Sequence, residues 1–176
     1  MAETARPSLD PHPDVILSLI NTVVNGRWPE DPDQFNAYFE TIDCVPGPLG
    51  EHQDDLPDSA RGSLLMPGIS MEGGSWEALA GKLHFLGFFF YPGTLDSHVL
   101  AGSAFKIVRD RLTDIYGEAI DETDQSEGNR SALWKVNETS VELYAHVNLA
   151  PMLQLGLSHH QLTLLHEKLV IEKRGY

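Results

Sequence analysis

Phe105-Lys106-Ile107-Val108-Arg109-Asp110-Arg111-Leu112-Thr113-Asp114-Ile115-Tyr116-Gly117, then Trp134-Lys135-Val136, Val141-Glu142-Leu143-Tyr144-Ala145-His146-Val147 and Leu153-Gln154-Leu155-Gly156-Leu157, decide the fold. In the first run Phe105, Val108, Leu112 and Ile115 hold helical spacing, and Gly117 stands where a C-cap glycine belongs. The other three alternate apolar and polar residues, the period of a strand with one buried face. The pattern predicts one helix feeding an antiparallel meander, with turns at Asn137-Glu138 and at 148–151.

Upstream, Lys82–Tyr91 reads as a strand that is apolar on both sides. Leu83, Phe85, Phe89 and Tyr91 fall on one face and Leu86, Phe88 and Phe90 on the other, with Gly87 marking a bulge or a close approach of backbone. Such a strand needs two covers. If helices cover the first set, Leu86, Phe88 and Phe90 form an apolar patch that predicts a homodimer interface; the alternative is a 45–62 loop folded back over it. The predicted core is Phe85, Phe89, Phe105, Val108, Leu112, Trp134, Val141, Leu143, Leu153 and Leu155, with Glu142 and His146 outside.

Nearer the N-terminus, residues 1–10 lack periodicity and are expected to fray. Pro13 and Asp14 precede a stripe of Ile16, Leu19, Ile20 and Val23 stopped by Gly26, which predicts a helix. Asp31-Pro32 starts a second, short one carrying Phe35, Tyr38 and Phe39. The Pro/Gly/Asp-rich segment 45–62 reads as a loop, Ser63–Met66 as a strand and Gly73-Gly74 as a turn. Residues 118–128 are too acidic to pack and read as a solvated loop. The alternating charges Lys106, Arg109, Asp110, Arg111 and Asp114 read as a solvated helix face. After Ser158 the spacing of Leu162, Leu165 and Leu169 gives a terminal helix, although Leu169-Val170-Ile171 leaves a strand open. The sum is a single α+β domain with an antiparallel sheet of about five strands and helices mainly on one face.

A chain of 176 residues with 41% hydrophobic and 22% charged residues can build its own core. Twenty-six acidic against 12 basic residues leave a net charge of −14 and no basic run, so nucleic acid is not expected as a direct partner. The same charge favours a basic protein partner, or serves solubility alone. Cys44 stands alone, the N-terminus lacks a signal-peptide pattern and no apolar run spans a bilayer, so a cytoplasmic protein with no membrane partner is expected.

Signals for chemistry are sparse. Glu51, Asp54, Asp55 and Asp58 lack the ligand spacing of a calcium loop. His159, His160 and His166 lie six and seven apart, not the three or four that put two imidazoles on one metal from one helix face. Neither metal nor cofactor is expected, and no nucleophile elbow, P-loop or dinucleotide fingerprint assigns a catalytic residue. Glu142, Tyr144 and His146 share one strand face, with Gln154 beside them. They form either a ligand-facing wall in which a carboxylate orients an imidazole, or the solvent face of an amphipathic sheet.

The helix Phe105–Gly117 ending in Tyr-Gly, the Trp134-led strand pair and Leu153–Leu157 are similar to the corresponding elements of type III secretion chaperones and their non-secretory relatives. They also resemble elements of polymorphic-toxin immunity families. The resemblance covers about a third of the chain and carries over no functional residue. It implies a small acidic, non-enzymatic protein-binding module, an immunity-type inhibitor or chaperone that commonly dimerises. The alternative is a small-molecule-binding protein or enzyme using Glu142, Tyr144 and His146.

Overall fold

The structure is a computed structural model that describes residues 8–51, 56, 58–69, 71–93, 96–124 and 128–175, with Glu72 described by its backbone alone. In it, α1 is Pro13–Asn25, and α2 is Phe35–Thr41, entered through a 3₁₀ turn at Pro32–Gln34. The first strands are β1 (Val45–Leu49), β2 (Ala60–Leu65), β3 (Met71–Leu79) and β4 (Lys82–Phe90). Then follow α3 (Ser97–Tyr116), β5 (Asp121–Asp124), β6 (Arg130–Val136), β7 (Thr139–His146), β8 (Met152–His159) and α4 (His160–Arg174). The α+β class holds, but the antiparallel sheet has eight strands, in the order β1-β2-β3-β4-β8-β7-β6-β5. Two four-stranded meanders meet at the β4–β8 pair, and α3 carries the chain from the centre to the far edge.

α3 buries Ala101, Ala104, Phe105, Val108 and Leu112, whereas Ile115 lies off this stripe and is 58% exposed. Gly117 ends the helix at φ 88°, and its carbonyl accepts from the Trp134 indole at 3.0 Å, which fixes α3 against β6. α1 buries the predicted stripe, and the His12 imidazole caps it by accepting from the Asp14 N–H. Asp31 caps the second helical segment, and Phe35 and Phe39 pack on Trp76 at ring-centroid distances of 5.5 and 5.8 Å. Trp28 in the corner donates to Thr139 Oγ1 at 2.9 Å, and Asn137 donates to the Val24 carbonyl at 2.7 Å. Together they tie the N-terminal helices to the β6–β7 hairpin. Tyr38 leaves the Phe35/Phe39 side and stacks on Trp28 at 6.2 Å.

The two sides of β4 are the reverse of expectation. Leu86, Phe88 and Phe90, the predicted dimer face, are fully buried beside Trp76, Leu155 and Leu153, under α1–α3. Phe85 and Phe89, assigned to the core, are half-buried on the other face. The cross-strand partners decide this, since Leu86, Phe88 and Phe90 neighbour the buried Trp76, Leu155 and Leu153, whereas Phe89 neighbours Gln154 and Phe85 neighbours Ser158. Separately, the strand has a bulge: Glu77 pairs with Phe85 and Ala78 with Leu83, leaving His84 as an extra residue. It switches the strand's parity, so Leu83 joins the Leu86 side while His84 and Phe85 share the Glu77 side. The other eight predicted core residues are buried, and Leu143 lies inside with Glu142 exposed.

The sheet edges account for two of the three missed strands. β1 contains Pro46, Gly47 and Pro48, and β5 is Asp-Glu-Thr-Asp, exposed throughout. Prolines and carboxylates at an edge discourage pairing with another chain, so these compositions protect the sheet and also disguise its strands. β5 is held by Arg109, which grips both oxygens of Glu122 at 2.8–3.1 Å and is therefore no free member of a solvated face. Gly73-Gly74 is not a turn but lies within β3, where a Cβ at Gly74 would come within 3.0 Å of the Leu64 carbonyl oxygen, a tight contact. Residues 161–173 are helical, capped by the His159 imidazole, which accepts from the Leu162 N–H. Of the calls on terminal and loop residues, 1–7, Asp54, Asp55 and Glu127 lie outside the described residues. No helix among the described residues is long and apolar enough to cross a membrane.

Candidate functional site

With α1–α3 on the first face, α4 is the helix packed on the second, where it rests on β4 and β8 without burying a residue of its own. The pairings lay out the open remainder as rows across the strands. One runs Phe89, Gln154, Tyr144, Ser131; the next runs Ser75, Gly87, Gly156, Glu142, Leu133. The Phe85 ring lies over the paired glycines: a Cβ at Gly87 would come within 2.9 Å of it, and one at Gly156 within 3.6 Å. The sensed irregularity at Gly87 is thus a seat for an aromatic ring, while the bulge sits three residues earlier.

Of the residues singled out from sequence, Tyr144, His146 and Gln154 do come together. The Tyr144 and His146 rings are 4.4 Å apart, and His146 Nε2, in the tautomer protonated there, donates to Gln154 Oε1 at 3.0 Å. Glu142 stays exposed in the neighbouring row. The imidazole is therefore oriented by an amide and not by the carboxylate that acid–base work would need, which removes the geometric support for that dyad.

A second constellation escaped the spacing argument. Glu77 of β3, His84 of β4 and His166 of α4 each offer a ligand atom, all within 4.8 Å of one another. His84 is 3% exposed, its ring stacks on His166 at 5.0 Å, and its Nε2 lies 4.0 Å from the Glu77 carboxylate. Burial, followed by repulsion from His166 and His159, lowers the His84 pKa to about 4, so this imidazole is neutral at pH 7. Beside the cluster is a cavity of about 10 Å³, lined also by Ser59 and Arg61, which is room for a single water. Only a histidine among apolar residues hinted at this in the sequence. The bulge that aims it and the helix that faces it come from separate parts of the chain.

No family model matches the chain, and no curated protein matches it. Among solved structures it is similar to a DUF4309 family protein, YjgB from Bacillus subtilis subsp. subtilis str. 168. The TM-score is 0.40 at 9% identity, over 84% of this chain and 97% of that one. A likeness that distant assigns neither family nor function.

Proposed function

We propose that the protein is a non-enzymatic, cytoplasmic protein-binding module of the immunity or chaperone type, which takes a basic segment of a partner along the second face of its sheet. The observation that carries the reading is the open patch of half-buried Phe85, Phe89, Tyr144 and His146, beside an α4 that exposes Leu164, Leu165 and Ile171. Aromatic rings held by their own strand neighbours present apolar area at little further entropic cost. The net charge of −14 selects a cationic partner and speeds its approach.

Panning a random-peptide display library against the folded protein tests this. Selected peptides should be rich in Lys and Arg, weaken with added salt, and lose roughly tenfold or more in affinity on Phe89→Ser or Tyr144→Ala. Ile115→Ser, on the far side of α3, should leave binding unchanged. Peptides without basic bias, or indifferent to both face variants, would overturn the reading. So would sedimentation showing a dimer that the same variants dissociate, since the face would then belong to a second copy of this chain.

A further inference from the structure

We propose that Glu77, His84 and His166 bind one divalent first-row transition ion of the zinc class, with a water in the adjoining cavity as the remaining ligand. Three observations converge on it independently of the docking face. The donors are two imidazoles and one carboxylate, a set suited to zinc and its neighbours and unlike the all-oxygen shells of calcium and magnesium. His84 Nδ1 is buried with no hydrogen-bond partner, so the imidazole is left with an unsatisfied nitrogen within the cluster's surroundings. The adjoining cavity of about 10 Å³ is just large enough for one water, which leaves space for one further ligand beside the three donors.

The geometry needs little adjustment. Ligands at the usual zinc distances sit about 3.3 Å from one another in a tetrahedron, so donors spread over 4.8 Å draw in by about 1.5 Å at most. Two of the three can move: the Glu77 side chain is 39% exposed, and His166 rides on a helix with no buried residue. His84 is the fixed point, set by the β4 bulge. The ion would link β3, β4 and α4, giving the terminal helix the anchor that its own side chains do not supply.

Chelator-stripped full-length protein dialysed against Zn²⁺, and against Co²⁺ as a visible probe, tests the assignment. The expected result is one equivalent bound at micromolar free metal, a tetrahedral-type Co²⁺ spectrum, and a rise in melting temperature on adding Zn²⁺. His166→Ala and Glu77→Gln, both at solvent-accessible side chains that the fold tolerates, should weaken binding at least roughly tenfold and remove that rise. His160→Ala should change neither. Less than one equivalent, affinity unaltered in His166→Ala, or loss in His160→Ala in place of His166→Ala would each overturn the proposal. None of these outcomes bears on peptide binding at the docking face.

Discussion

Phe88→Ser is expected to destabilise the protein by about 4–6 kcal/mol, a large part of the roughly 5–15 kcal/mol that holds a domain together. Phe88 is fully buried at the centre of the sheet, paired with Gly74 and Leu155 and stacked on Phe90 at 6.2 Å. Removing a buried phenyl costs about 3–5 kcal/mol, and the new hydroxyl adds about 1 kcal/mol or more because no acceptor replaces water. The adjacent Phe89→Ser, on the open face, should cost about 1 kcal/mol or less. Urea unfolding of the two variants reads the difference. Comparable stabilities, or a stable Phe88→Ser beside an unfolded Phe89→Ser, would mean that the two faces of β4 are assigned the wrong way round.

Acidification of the metal-free protein from pH 7 to pH 4 should cost about 3 kcal/mol through His84 alone. Its folded pKa of about 4 lies below the ordinary 6.5, first through burial and then through His166 and His159. The other charged groups around it are Glu77, 4.0 Å from its Nε2, and Arg61 in the cavity wall. Between those two values the unfolded chain binds the proton and the folded one does not. The stabilisation is therefore complete above about pH 6.5 and is lost as the pH falls towards 4. In the presence of chelator, urea midpoints across this range should fall steeply for wild type and less steeply for His84→Gln. Equal slopes would show that His84 titrates normally.

The second half of the chain was legible in the sequence because its elements carry their own periodicity. Phe105, Val108 and Leu112 of α3, the β6–β8 meander and the buried Leu143, Leu153 and Leu155 all lie where periodicity put them, Ile115 alone falling off the helix stripe. Strands β1 and β5 were not legible, since Pro46, Pro48 and the carboxylates of 121–124 are what protects a sheet edge and also what a strand pattern lacks. β4 was recognised as a strand but with its sides exchanged. The bulged residue His84 moves only Leu83 to the other side; which side of Phe85–Phe90 faces the core is set by their partners on β3 and β8, and nothing local in Leu83–Tyr91 announces it. The Tyr144/His146/Gln154 group followed from period 2 and adjacent register. The Glu77/His84/His166 cluster did not, because its members lie on three elements and depend on that bulge and on where α4 docks.

Hydroxyl-radical footprinting of the free protein, and of its complex with a display-selected basic peptide, probes both the open second face and its use. The expected result is ready modification of Phe85, Phe89, Tyr144 and His146 in the free protein, with Phe88, Phe90 and Trp134 protected throughout. Adding the peptide should then protect Phe89, Tyr144 and His146. Protection that instead falls on α1 or α3, or a free protein in which Phe89 and Tyr144 are already as protected as Phe88, would contradict it.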